Sequence, residues 1–377
     1  MDINALSLHC FNTFSQIGPK ALAAIQKVGA DKLWREGVLS DFQRILSPRA
    51  KFDWYHEFES IEKQDFLAKE EKYLQSEGIY IITFGDSDYP ERLAQIAVPP
   101  IVLYVKGDIS GIDNALAIVG TRKYTNYGAH IAEKMSKELS ALGLPIISGL
   151  ALGIDSIAHR GCLDGKSKTI AVLGGGISPK ALYPQSNQRL AQAIIAGGGA
   201  LISEFPPLSK PRRENFILRN RIVSGLARGI LVIEAPIKSG TMATVKYALE
   251  QNRDVFAIPG NIDVKNSEGT NALIKQGAYL VTETQDILNI FDIEAIIPSF
   301  SLSEFSPEQQ QIIQYLIQEP MAIELLAEKT SQEIMDLMAI LSIMELSGII
   351  RQGEQGEYTL IMNIEYLSPP YTKQRGI

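Results

Sequence analysis

The sequence predicts an α/β fold, with a mostly parallel sheet covered by helices on both faces, short helices before it and a winged-helix pattern after it. Three observations carry this. Residues 116–291 alternate short, continuous apolar runs with amphipathic segments, which is how strands buried on both faces and their covering helices read. The apolar runs end in glycine and small polar residues, as expected where βα turns form the ligand-binding edge of such a sheet. Residues 304–365 read as three helices followed by a two-stranded hairpin.

Taken in order, residues 1 to about 70 read as short helices, and the helical N-terminal domain is expected over 1–75, of helix–hairpin–helix or SAM-like type. Within it Phe14–Pro19 (FSQIGP) and the following KALAAIQKVG look like half of a helix–hairpin–helix element; a plain turn between packed helices is the simpler reading. Tyr80–Phe84 and Ile101–Lys106 are strand-like and flank a short helix punctuated by Pro90, Pro99 and Pro100. Seven strand candidates follow: 116–119, 145–148, 169–173, 200–205, 229–235, 254–258 and 278–282. With the amphipathic stretches between them they define a sheet domain over 76–292. AIIPSFSLSEFSP supplies a linker, placed at 293–303, and the winged-helix-like domain occupies 304–365.

The chain has 377 residues and a net charge of −7, unevenly spread. Residues 118–260 hold 18 Lys and Arg against 9 Asp and Glu, a net +9, whereas residues 301–365 hold 2 against 11, a net −9. A basic middle suggests a polyanionic ligand, and an acidic end suggests a different task. Ser331–Gly348, where a DNA-reading helix would fall, has no Lys or Arg, so this domain reads as a protein-contact module. No apolar run approaches the roughly 18 residues of a membrane span, and the N-terminus lacks a signal-peptide pattern. Cys10 and Cys162 stand far apart without ligand spacing, which fits free thiols in a cytoplasmic protein.

The candidate chemistry gathers at the strand ends. LAIVGTRKYTNYG (116–128) is strand, tight turn, loop and helix start, with Gly120, Thr121, Arg122 and Lys123 at the turn. Ser148–Gly149, Gly174–Gly175–Gly176, Ser239–Gly240–Thr241 and Pro259–Gly260 end other strands in the same way. On one edge, such loops clear side chains from the rim and expose the backbone N–H groups that a phosphate chain needs. Arg219 and Arg221 flank Asn220 on an otherwise apolar helix, shortly after Lys210, Arg212 and Arg213; phosphate anchoring and pairing with Glu204 and Glu234 are both open. Asp155 and His159 share a helix face but lack further ligands, so a helix-start aspartate and an internally bonded histidine are expected, with no metal. There is no Walker A motif and no GxGxxG at the first turn, so no nucleotide cofactor is expected.

DSDYPERL, IVGTR, ISGLALGIDSIAHRG, TIAVLGGG, LYPQSN, ISEFPP, RNRIVSGL, VIEAPIKSGTMATVKYALEQNRDVFAIPG and GTNALIKQGA, spread over about 80–285, closely resemble the DNA-processing protein A family, DprA or Smf. The resemblance implies an extended Rossmann-like domain that binds single-stranded DNA, with weaker binding of double-stranded DNA, and forms a homodimer. It implies a non-enzymatic mediator that protects incoming DNA and helps load the RecA recombinase in natural transformation. The family's Gly-Ser/Thr-Arg turn maps onto Gly120–Thr121–Arg122. In some members a lysine follows the Tyr-Pro pair; here Gln185 does, and Lys180 or Arg189 are the candidates to compensate. The DNA-binding set is thus Gly120, Thr121, Arg122, Lys123, Ser148, Gly149, Gly174, Gly175, Lys180, Asn187, Arg219, Asn220, Arg221, Ser239, Gly240 and Thr241, with Tyr124, Tyr127 or Tyr183 to stack on a base. The alternative is a nucleotide phosphoribohydrolase-type enzyme that binds phosphate at SGTMATVKYALE and uses Glu234 or Glu250 on the sugar.

Overall fold

The computed structural model describes residues 2–14, 17–46, 54–293, 300–302, 305–353, 356–360 and 364–365. They fall into two compact units, Met1–Ile293 and Glu294–Ile377.

The first unit opens with six helices: α1 (Ile3–Thr13), α2 (Pro19–Val28), α3 (Ala30–Glu36), α4 (Leu39–Ile45), α5 (Trp54–Ser60) and α6 (Lys63–Ser76). Pro19 sits at the first position of α2, where its missing N–H costs nothing and its fixed φ suits the helix. Aromatic rings fill the space between these helices. Phe11 meets Trp34 edge to face at 5.1 Å, and Phe42 meets Trp54 likewise at 5.1 Å. The helices expected as a domain of their own pack directly on the sheet. Phe11, Trp34 and Phe58 belong to the same buried cluster as Tyr104, Leu173 and Leu201. A polar network pins the contact: His9 Nδ1 lies 2.9 Å from the Tyr104 hydroxyl, His9 Nε2 2.8 Å from the Glu70 carboxylate, and Asn12 donates to the Glu204 carbonyl at 3.1 Å.

The sheet region then runs β1 (Tyr80–Thr83), α7 (Glu91–Ala94), β2 (Val102–Gly107), β3 (Leu116–Val119), α8 (Asn126–Ala141), β4 (Ile146–Ser148), α9 (Ile154–Gly165), β5 (Thr169–Val172), α10 (Gln188–Ala196) and β6 (Ala200–Ser203). It continues through α11 (Arg213–Leu226), β7 (Gly229–Val232), α12 (Gly240–Glu250), β8 (Asp254–Ala257), α13 (Glu268–Lys275), β9 (Tyr279–Leu280) and α14 (Thr284–Ile290). The nine strands are ordered β1-β2-β6-β5-β4-β3-β7-β8-β9. β3 to β9 pair in parallel, and β1 and β2 close one side antiparallel. Strand side chains alternate between faces, so Ala171 and Leu201 belong to the buried cluster that holds the N-terminal helices, while Ile170, Val172 and Ile202 share one with Ile222, Val223 and Leu226 of α11. Several strands stop short of the apolar run that announced them. Leu173, Ile233 and Ile258 stay buried and each donates one last backbone bond, to Ile202, Val119 and Val232, before the chain turns.

The second unit comprises β10 (Phe300–Ser301), α15 (Pro307–Leu316), β11 (Met321–Ala322), α16 (Ile323–Thr330), α17 (Ile334–Leu346), β12 (Ile350–Gln352), β13 (Glu357–Leu360) and β14 (Ile364–Glu365). Three helices and a β11-β13-β12 sheet form the expected winged helix. Ser306 and Gln309 make a capping box at the start of α15. Most of the linker expected at 293–303 lies outside the described residues. Helix α17 buries Leu337, Leu341 and Met344 but leaves Ile334, Met335, Met338, Ile343 and Leu346 exposed. No helix of the described residues is long and apolar enough to cross a membrane.

Two buried polar groups give measurable handles on the first unit. Arg221 donates to both carboxylate oxygens of Glu204 at 2.6 Å, and both side chains are buried. Glu204→Leu leaves that guanidinium unpaired and is expected to cost about 3–5 kcal/mol in urea denaturation. The double variant Glu204→Leu/Arg221→Met should recover part of the loss, and a single variant as stable as wild type would refute a structural role for the pair. The second handle is His159. The Thr169 hydroxyl spends its proton on the Ile146 carbonyl at 2.9 Å, so His159 Nδ1 donates to Thr169 Oγ1 at 2.6 Å. That leaves Nε2 a bare lone pair, with no partner among the described residues. Burial, reinforced by the nearby charges of Arg219 and Arg160, pushes the imidazole pKa down from 6.5 to about 3. Between those values the unfolded chain binds a proton that the folded chain refuses, so stability is lost as pH falls below 6.5. By pH 5 the loss from this group is about 2 kcal/mol. In His159→Leu the stability difference between pH 7 and pH 5 should shrink by that amount.

Candidate nucleic-acid interface

From β3 the chain steps through β4, β5 and β6 to one side of the sheet, then returns to place β7, β8 and β9 on the other. The strand order therefore reverses between β3 and β7, and in open α/β sheets the crevice outside the strand carboxyl ends at such a point is where ligands bind. A cleft of about 750 Å³ opens there. Gly120, Thr121 and Gly149 line it from the strand ends, Phe216, Arg219 and Asn220 from α11, and Ser239, Gly240 and Thr241 from the start of α12. Arg122, Tyr183 and Arg213 line it as well.

Glu234 holds the loop that carries Arg122. The Glu234 carbonyl accepts from the Thr121 N–H at 2.8 Å. Its buried carboxylate accepts from the Thr125 N–H at 3.0 Å, from the Thr125 hydroxyl in a short bond, and from Asn266 Nδ2 at 3.3 Å. Thr125 in turn caps α8, accepting from the Gly128 N–H at 3.1 Å. Gly128 is required because a Cβ there would collide with that carboxylate. The turn is fixed while the Arg122 side chain stays exposed, its guanidinium 5.8 Å from the centre of the Phe216 ring. Phe216 also meets Tyr183 at 5.6 Å, so two aromatic rings and an arginine share one rim.

Arg219 forms a buried wall of the cleft. It donates to the Gly149 carbonyl at 2.7 Å and to the Val172 carbonyl in a short bond, tying α11 to the ends of β4 and β5. Burial lowers its pKa to about 10, so it stays charged at neutral pH. Asp155, in the first turn of α9, is its electrostatic counterweight; burial raises this carboxyl's pKa, and Arg219 opposes the rise. The lining thus holds three arginines, Arg122, Arg213 and Arg219, against the single carboxylate of Asp155.

Of the residues expected from sequence, Gly120, Thr121, Arg122, Gly149, Tyr183, Arg219, Asn220, Ser239, Gly240 and Thr241 come together on this cleft. The others do not line it. The Ser148 hydroxyl donates to the Ile118 carbonyl at 2.7 Å. Gly174 is packed beneath the Phe216 ring, and the Gly175 carbonyl accepts from Ser203 at 2.7 Å. Asn187 donates to Leu150 and Ser156, both at 2.8 Å. Arg221 turns away to Glu204, whereas Glu234 pairs with Thr125 and Asn266 rather than with an arginine. Lys123, Lys180, Gln185 and Arg189 are exposed outside the lining, as are Tyr124 and Tyr127. Glu234 and Glu250, the carboxylates of the enzymatic alternative, also lie outside it. Phe216 was not among the expected contacts; the signal for it was its place one turn before Arg219 on an amphipathic helix.

A family model described as DNA recombination-mediator protein A matches residues 80–292, and one described as the DprA winged helix domain matches residues 298–356. Protein Smf of Escherichia coli K12 is 37% identical over 288 residues, covering 74% of this chain and 76% of that protein. DNA processing protein DprA of Streptococcus pneumoniae R6 is 42% identical over 208 residues, covering 55% of this chain and 72% of that protein. An X-ray structure of S. pneumoniae DprA superposes with a TM-score of 0.64 at 34% identity, over 74% of this chain and 95% of that one. A structure of Helicobacter pylori DNA processing protein A, solved for its single-stranded DNA binding mode, matches with a TM-score of 0.51 at 28% identity, over 57% of this chain and 97% of that one. With both its sheet region and its winged helix matched, the chain belongs to the DprA/Smf family.

Proposed function

We propose that this protein is a single-stranded DNA-binding recombination mediator, acting by binding and not by catalysis. The observation that carries the reading is the cleft at the β3/β7 crevice, where an exposed arginine, two more arginines and an aromatic pair surround glycine-lined strand ends. Phosphates sit against Arg122 and the amides of the Gly120 turn and the α12 start. Bases stack on Phe216 and Tyr183, which asks nothing of their sequence and favours a single strand, whose bases are free to stack on protein, over a duplex. That the H. pylori relative was solved for its single-stranded DNA binding supports a single strand as the ligand.

Within the same reading the protein protects incoming DNA in the cytoplasm during natural transformation, works as a homodimer and helps load RecA. The modules at 1–75, 76–292 and 304–365 divide the work. The acidic winged helix contacts protein, because α17 exposes Met335, Met338 and Leu346 where a DNA reader needs cations.

The test is a binding titration of single- and double-stranded oligonucleotides across salt, with wild type and Arg122→Ala. Wild type should prefer the single strand. Arg122→Ala should bind about tenfold more weakly, with a log–log salt slope smaller by about 0.7 for the lost phosphate contact. Equal affinity at low salt would refute the role of Arg122.

A further inference from the structure

A second cleft, of about 350 Å³, lies between the N-terminal helices and the sheet. It shares a wall with the first. The chain leaving β6 crosses between the two clefts before α11 starts, and Arg212 at that crossing is extended, with φ −123° and ψ 149°. Extended backbone sends successive side chains to opposite sides. Here Pro211 and Arg213 line the first cleft, while Lys210 and Arg212 line the second.

The second cleft has the chemistry of a phosphate site. Lys210 and Arg212 are exposed, and neither makes an ion pair with another described residue. The carboxylate in its lining, Glu204, is already neutralised from behind by Arg221. Two cations are therefore left over in a concave surface that continues from the DNA cleft. The opposite wall is the Ile17–Gly18–Pro19 turn, and half-buried Phe205 offers an apolar surface beside the cations.

We infer that the bound single strand does not end in the first cleft but crosses the Lys210–Arg213 strap into the second, where Lys210 and Arg212 hold its phosphates. The N-terminal helices thereby form part of the DNA path. This rests on the reading of the first cleft as the strand site.

The experiment compares the full-length protein with Lys210→Ala/Arg212→Ala on oligothymidylates of increasing length, across salt. A second double variant, Lys69→Ala/Lys72→Ala, makes the same charge change on α6 and serves as the control. The shortest oligomer that binds should not distinguish the three proteins. On longer oligomers the Lys210/Arg212 variant alone should lose affinity, with a salt slope smaller by about 1.4 for two single-strand phosphate contacts. Over a fourfold rise in salt, wild type then loses about seven times more affinity than the variant. Equal losses at every length, equal losses in the control, or no loss at all overturn the inference while leaving the first cleft as the binding site. Absence of binding by wild type at every length overturns both.

Discussion

The binding edge of this protein depends on one buried carboxylate. Glu234 lies two residues beyond β7, the strand beside β3, and its main chain and side chain both reach across to the neighbouring loop, to Thr121 and Thr125. A carboxylate bonded to a backbone N–H and a hydroxyl at a helix start is favoured by charge-assisted hydrogen bonds and by the helix dipole. The loop between is thus held at both ends, and Arg122 projects from a fixed base. The acid that looked from sequence like a partner for arginine or a catalytic group instead sets the shape of the turn that carries Arg122.

A second constraint is the division of labour along α11. Arg219 and Arg221 are two positions apart, which on an α-helix places them on different faces. One enters the wall of the first cleft and ties three elements together through backbone carbonyls; the other pairs with Glu204 beneath the second cleft. Reading both as DNA contacts treated them as neighbours in sequence. Helical periodicity already separates them, although it does not say which face meets which partner.

The sheet and the chain order of its strands and helices were legible because apolar runs buried on both faces leave few other readings. Strand ends were less so: Leu173, Ile233 and Ile258 are as buried as the residues before them, so hydrophobicity does not mark where the ladder stops. In the site, Gly120 to Arg122 could be found because one turn supplies them all. The pairing of Tyr183 with Phe216 could not, because the rings stand 33 positions apart and meet only after α10 and β6 are placed. Ser148 and Asn187 show the opposite error. Small polar residues at a strand end or just before a helix can serve a ligand or satisfy buried carbonyls, and here they bond to Ile118 and Leu150. Likewise, contact between the N-terminal helices and Tyr104 rests on partners about a hundred positions apart, beyond the reach of any local pattern.

The contrast between Arg219 and Arg122 has a consequence for what the cleft can discriminate. Arg219 is immobilised before any ligand arrives, so its charge acts without further loss of rotamer freedom. Arg122 keeps its freedom in solvent and surrenders it only on contact. A site with a stiff inner wall and a compliant rim can adjust to whichever base a strand presents while holding its backbone in one place. Since backbone contacts carry register but no base identity, such a surface is indifferent to sequence by construction, which fits the proposed single-strand binder.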